Sequence, residues 1–185
     1  MIRSIAAAAL GLVAFSHSAS AQSDLLATLF QKPQFRTERA APQETRQVVA
    51  APRGVAPGTI VVDTPNRALY LIGDDGVAMR YAIGVARAGF EWGGDMTIGR
   101  KAEWPSWTPP SEMLKRRPDL PRFMAGGEGN PLGARAMYLH NGSGRDSIFR
   151  IHGTNEEATI GEAVSSGCIR MMNADVTDLY SRVKV

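Results

Sequence analysis

Thr59-Ile-Val-Val62, a turn at Asp63-Thr-Pro-Asn66, Arg67-Ala-Leu-Tyr-Leu-Ile72, a second turn at Gly73-Asp-Asp-Gly76 and then Val77 to Val85 form the most legible stretch of the chain. β-Branched and aromatic side chains pack well on a pleated surface, and Gly, Asp, Asn and Pro at short intervals supply the reversals. The pattern predicts antiparallel hairpins. Further short strands are expected at Ala136 to His140 and Ile148 to Ile151, with Asn141-Gly-Ser-Gly144 turning between them. Helical periodicity is sparse. It predicts a turn at Pro110 to Lys115 and a helix from Asn173 to Val183, where Val176, Leu179, Tyr180 and Val183 share a face and Asn173 or Asp175 can cap. The expected fold is mainly β, a single domain with one or two short helices and no internal repeat.

Working back toward the N-terminus, residues 22–56 are rich in Ala, Pro, Gln, Arg and Thr without a sustained apolar period, and they read as a flexible linker. A short helix near Asp24 to Gln31 is expected within it, capped by Ser23. Residues 1–21 have the pattern of a signal peptide: Arg3 supplies positive charge, Ile5 to Phe15 is apolar, and Ala19-Ser20-Ala21 fits cleavage before Gln22. Secretion is the expected fate of the chain. The apolar run is shorter than the ~20 residues that cross a bilayer, so no membrane span is expected.

The whole chain carries a formal charge of +3, and its basic residues are scattered except at Lys115, Arg116 and Arg117. That trio reads as a solvated turn, and no basic stripe suits a nucleic acid. One cysteine rules out an internal disulfide framework. A lone thiol in an oxidising compartment invites mispairing, so chemistry is a better reason to keep it there than packing.

The chemistry-bearing segments are Ile151-His-Gly-Thr154 and Ser165-Ser-Gly-Cys-Ile-Arg-Met171. A thiol becomes a strong nucleophile when an imidazole accepts its proton and positive charge favours the thiolate. His152 ends an expected strand, and a reversal through Glu156 to Val164 could return the chain to it at Cys168. An imidazole also needs an orienting partner, for which the Gly153 carbonyl is a candidate. The backbone amides of Ser166, Gly167 and Cys168 are candidate donors to a tetrahedral oxyanion, and Arg170 could meet a substrate carboxylate.

These segments resemble the L,D-transpeptidase catalytic domain (YkuD-like) family, whose signature is a His-Gly followed by a Ser-His-Gly-Cys or Ser-Ser-Gly-Cys box. Ile160-Gly161, Asn173, Asp175, Pro105-Ser-Trp-Thr-Pro-Pro110 and Asn130-Pro-Leu-Gly-Ala-Arg135 also look like family blocks, so the resemblance covers residues 57–185. It implies a β-sandwich or barrel and a cofactor-free cysteine enzyme acting on peptidoglycan stem peptides. Cys168 would be the nucleophile, His152 the base, the Gly153 carbonyl the orienter and Arg170 a substrate contact. The acyl acceptor would be an amine, of a neighbouring stem or of an outer-membrane lipoprotein. Water as acceptor would make the protein an L,D-carboxypeptidase or cross-link hydrolase. Two departures stand out: Ser166 replaces the histidine of many relatives, and similar domains continue through a Gly-Thr-Pro turn into a final strand that a chain ending at Val185 is expected to lack.

Two rival readings come from other residues. His140, His152 and Cys168 include zinc-ligand types, but spacings of twelve and sixteen residues fit no compact ligand pair, so no metal is expected. Trp104 and Trp107 among prolines could stack on a sugar, as in a non-catalytic wall-binding module, although such runs more often cap a core.

Overall fold

The computed structural model describes residues 44–185. The expected signal peptide, the helix near Asp24 to Gln31 and residues 22–43 of the expected linker lie outside the described residues. Ten strands and two α-helices follow in the order β1 (Arg46–Ala50), β2 (Ile60–Asp63), β3 (Ala68–Ile72), β4 (Val77–Ala82), β5 (Val85–Ala86), β6 (Thr97–Glu103), α1 (Ser111–Arg116), β7 (Arg135–His140), β8 (Asp146–His152), β9 (Ala163–Ser165), β10 (Ile169–Arg170) and α2 (Asn173–Arg182). One antiparallel sheet runs β1-β4-β3-β2, a second sheet runs β10-β8-β7-β6, and β5 pairs in parallel with β9. The fold is mainly β as expected. Neither sheet closes on itself, so the architecture is layered and not a barrel.

The core lies where the layers meet. Leu69 and Tyr81 come from the first sheet, Met137, Leu139, Ile151 and Ile169 from the second, and Val176 and Leu179 from α2. Burying a side chain of leucine or isoleucine size contributes about 1.5–3 kcal/mol, so this cluster is the main source of cohesion. Lys101 crosses to the C-terminal end of α2 and donates from Nζ to the Tyr180 and Val183 carbonyls at 2.6 Å each. There it satisfies acceptors that the helix leaves open. A cavity of about 890 Å³ opens between edge strands β2 and β6, lined by Ile60, Val62, Ile98, Leu139 and Val185 among others, and Cys168 is not on its wall.

Several expectations need correction. Residues 46–50, assigned by composition to the flexible 22–56 segment, form β1. Val48 and Val49 favour extended backbone, and pairing with β4 satisfies an edge that would otherwise present open N–H and C=O groups. The run Val77 to Val85 breaks at Ile83-Gly84 because Gly84 leaves the first sheet to exchange two 2.9 Å backbone hydrogen bonds with Arg170. Trp104 is 42% exposed and Trp107 is half-buried, so neither belongs to the core. Asn173 does not cap α2 with its side chain: the N-cap position is Met172, and no side-chain cap bond forms.

Asp178 of α2 joins three elements. Its Oδ2 accepts from Tyr81 Oη at 2.6 Å, both carboxylate oxygens accept from Arg182 at 2.9 and 3.0 Å, and Arg46 of β1 lies 3.2 Å away. Burial opposes ionisation of this carboxyl, but hydrogen bonds from Arg182 and Tyr81 and the charges of Arg182 and Arg46 outweigh it, so its pKa is lowered. A lowered carboxyl pKa stabilises the fold fully above the unfolded value of about 3.9, and that contribution fades as pH falls through the folded value. Asp178→Asn is expected to cost about 1–3 kcal/mol at neutral pH in urea denaturation. The gap from the unsubstituted protein should narrow as pH falls through the lowered folded value, where the native carboxyl in turn gains a proton.

Candidate active site

Two short strands set the geometry. β10 pairs in parallel with β8, placing Ile169 opposite Ile151 and Arg170 opposite His152. Side chains alternate across a sheet, so Ile151 and Ile169, each 2% exposed, enter the core. Arg150, His152, Cys168 and Arg170 therefore share the other face. The nucleophile and base candidates are brought together by register alone, with Cys168 immediately before β10 and His152 at the end of β8.

His152 is buried, and its Nδ1 lies 2.5 Å from the Gly153 carbonyl oxygen. A carbonyl only accepts, so Nδ1 carries the proton and Nε2 is left with a lone pair. The Gly153 carbonyl is fixed in turn by Asn173, whose Oδ1 accepts from the Ala134 amide at 2.9 Å and whose Nδ2 donates to the Thr154 carbonyl at 3.0 Å. A Cβ at Gly153 would overlap Asn173 Oδ1, so glycine there makes room for the side-chain amide. Asn173 thus positions the imidazole through the backbone.

The turn before Cys168 is held from several directions. Gly167 has φ +118°, and a Cβ there would come within 2.6 Å of the Phe149 ring, so only glycine fits. Phe149 stacks on Trp92 with centroids 4.6 Å apart, and Trp92 Nε1 donates to the Gly167 carbonyl at 2.5 Å. Beneath the turn, buried Ser165 donates from Oγ to the Cys168 carbonyl at 2.7 Å and accepts from the Gly167 amide at 3.2 Å. The Gly167 amide therefore already has an acceptor. Among the described residues the Ser166 and Cys168 amides have none, which leaves these two of the three expected oxyanion donors free.

Burial drives both titrating groups toward neutrality. His152 falls to about 4, chiefly by desolvation, with the Gly153 hydrogen bond opposing and the charges of Arg170 and Arg150 reinforcing the fall. Cys168 is pushed up by desolvation, while the Arg150 backbone N–H and the charges of Arg150 and Arg170 pull it down. At neutral pH the resting pair is thiol and neutral imidazole. Arg170 Nη1 is engaged at 2.9 Å by Glu156 and at 3.4 Å by Thr159 Oγ1, and its other donors have no partner among the described residues.

The third possible metal ligand, His140, sits at the end of β7, four residues beyond Ala136, which faces His152. At strand spacing that separation is about 13 Å. Among the described residues no three His, Cys, Asp or Glu side chains gather as a metal cluster. Sequence reading missed Trp92, Phe149, Arg150 and Ser165 as site residues. Trp92, Phe149 and Arg150 reach the site through long-range pairing and carry no local signal, whereas Ser165 lies within the Ser165-Ser-Gly-Cys168 segment, three residues from the cysteine whose carbonyl it holds.

Alkylation of Cys168 by iodoacetamide, followed by mass spectrometry, should accelerate continuously with pH above neutrality. A plateau between about pH 5 and 8 would instead reveal a preformed thiolate–imidazolium pair. Asn173→Ala, which strands the Ala134 amide and the Thr154 carbonyl, should lose about 2–4 kcal/mol in urea denaturation.

The profile of the family described as "L,D-transpeptidase catalytic domain" matches residues 57–185. The probable L,D-transpeptidase ErfK/SrfK of Escherichia coli is 37% identical over 145 residues, which are 75% of this chain and 45% of that protein. The chain thus spans less than half the length of that relative. Among solved structures, a Brucella melitensis protein described as a probable carnitine operon oxidoreductase is 47% identical, with a TM-score of 0.55 over 79% of this chain and 92% of that one. The catalytic domain of an Enterococcus faecium L,D-transpeptidase, acylated by ertapenem, has a TM-score of 0.50 at 18% identity, covering 71% of this chain and 94% of that one, a likeness of fold alone. By the extent of the profile match and by these likenesses, the chain belongs to the L,D-transpeptidase catalytic domain family.

Proposed function

We propose that the protein is a cysteine-dependent L,D-transpeptidase acting on peptidoglycan stem peptides, with Cys168 as nucleophile and His152 as general base. The observation that supports this most is the sharing of one sheet face by Cys168 and His152, with the imidazole held by its Nδ1 contact to Gly153. Family membership supplies the substrate class.

In the first half-reaction His152 Nε2 takes the Cys168 proton as sulfur attacks the carbonyl after the third stem residue, forming the C–S bond. The Ser166 and Cys168 amides donate to the resulting oxyanion. Each such donor typically contributes a factor of about 10²–10³ in rate. Collapse breaks the C–N bond, and the imidazolium protonates the departing terminal D-alanine amine. In the second half-reaction an amine attacks the thioester, His152 accepts its proton, and the sulfur leaves and regains a proton. Arg170 offers its unengaged guanidinium edge to a substrate carboxylate. The work would be done in the periplasm or cell wall, where the substrate lies and where the pattern of residues 1–21 would direct the chain.

Incubation with purified muropeptides and mass analysis tests the reading. Cross-linked dimers identify an amine acceptor, trimmed monomers identify water, and unchanged substrate rejects the proposal. A carbapenem should add covalently to Cys168 in the unsubstituted protein and should not add to Cys168→Ala. It should add at least ~10²-fold more slowly to His152→Ala, given the usual contribution of a general base.

A further inference from the structure

The face that carries Cys168 continues across the sheet to Arg100, a cation with no acidic partner among the described residues. The register sets Cys168 beside Arg150, Arg150 opposite Tyr138, and Tyr138 opposite Arg100, a row running perpendicular to β8, β7 and β6. Arg100 reaches this face because of an irregularity. Ile98 pairs with Leu139 and packs against the core, whereas Arg100 pairs with Tyr138, so Gly99 is the extra residue of a bulge that reverses the alternation. The His140 ring closes over Gly99, where a Cβ would overlap it, and so fixes the bulge. Bulges commonly re-aim a side chain in this way beside functional sites.

The two guanidinium groups on this row converge on one ring. The Arg100 guanidinium carbon lies 3.4 Å from the Tyr138 centroid and that of Arg150 lies 4.4 Å from it, so the two charges are at most 7.8 Å apart. At that distance like charges repel by roughly 0.5–2 kcal/mol for effective dielectrics between water and a protein surface. Asp146 neutralises Arg150, binding Nη1 at 2.6 Å and Nη2 at 2.9 Å, and Glu156 neutralises Arg170. Arg100 has neither an acidic partner nor a hydrogen-bond acceptor among the described residues, and it is exposed.

We infer that Arg100, held on the Tyr138 ring beside Arg150, is a recognition site for a carboxylate carried on a side chain of the acyl donor. With strands about 4.8 Å apart, the Arg100 backbone stands about 14 Å from that of Cys168, and the guanidinium leans back over Tyr138. A carboxylate on a long side chain of the attacked residue, or of the residue before it, lies within that reach. The inference rests on the proposed acyl-transfer reading and adds a determinant of which donor is accepted. A free carboxylate should be preferred over its amide, since guanidinium pairs with the anion far more strongly than with a neutral carboxamide.

The test measures binding by calorimetry with Cys168→Ala protein, which cannot react, using stem tetrapeptides whose third-residue or second-residue side-chain carboxylate is either free or amidated. At one of these two positions the free acid is expected to bind about 10- to 100-fold more tightly than the amide, as for one hydrogen-bonded charge pair. In Arg100→Gln that gap should shrink below about threefold, and Arg100→Lys should restore most of it. Equal affinity for acid and amide at both positions, or a gap that survives in Arg100→Gln, overturns the inference. So does an Arg100→Gln change that weakens acid and amide alike, which marks a packing role. Covalent addition of a carbapenem to the unsubstituted protein is followed in parallel. If it occurs while the binding gap fails, only the Arg100 assignment falls; if it does not occur, the acyl-enzyme reading falls separately.

Discussion

The parallel pairing of β10 with β8 is the constraint on which the rest depends. It joins only Ile169 and Arg170 to Ile151 and His152, with the Met171 amide adding one more bond to the His152 carbonyl at 2.9 Å. Such a short ladder would be marginal alone. It persists because both isoleucines enter the common core and because Gly84 clamps Arg170 from the other side. The same alternation that buries the isoleucines presents Cys168 and His152 together on the opposite face, so cohesion and chemistry come from one register. A slip of one residue would exchange the two sets and destroy both.

The electrostatics of the site follow from that burial. A buried imidazole and a desolvated thiol are both cheaper to hold neutral, so the resting site stores no ion pair. In the proposed reaction, charge separation is deferred to the moment when sulfur meets a carbonyl and the negative charge moves onto oxygen. Arg150 and Arg170 lower the cost of the transient anion, and their own charges are balanced by Asp146 and Glu156 at the surface. The neutral resting pair also protects the thiol, because the thiolate is the species that oxidises and exchanges.

What sequence alone conveyed divides along the range of the interactions. The hairpins of residues 59–82 were legible because β-branched runs and turn residues act locally, and α2 was legible from Val176, Leu179 and their spacing. β6 was not read: Gly99 and the charges at Arg100, Lys101 and Glu103 obscure an alternation that the bulge has already reversed. β9 and β10 are too short for any periodicity and exist through pairing with distant strands. At the site, Cys168, His152, Gly153, Gly167 and Arg170 stood out by residue type and family pattern. Asn173 looked like a cap, since an Asn at the start of a helix usually serves its own backbone. Here the amide found better partners across the fold, at Ala134 and Thr154.

The turn at Gly167 argues for a site organised before substrate arrives. Its carbonyl is taken by Trp92, its amide by Ser165, and its Cα lies against Phe149, so little freedom remains in the peptide planes on either side. Oxyanion stabilisation is effective in proportion to how little the donors must reorganise. Consuming the Gly167 amide in the scaffold reduces the number of free donors from three to two, but it fixes the direction of those two. A third amide that was free to turn would add a hydrogen bond in water and much less in a transition state, because its ordering entropy would be lost at the moment of reaction. In the proposed reaction the hydroxyl of Ser165 would therefore act without facing the substrate, by fixing the turn that carries the Ser166 and Cys168 amides.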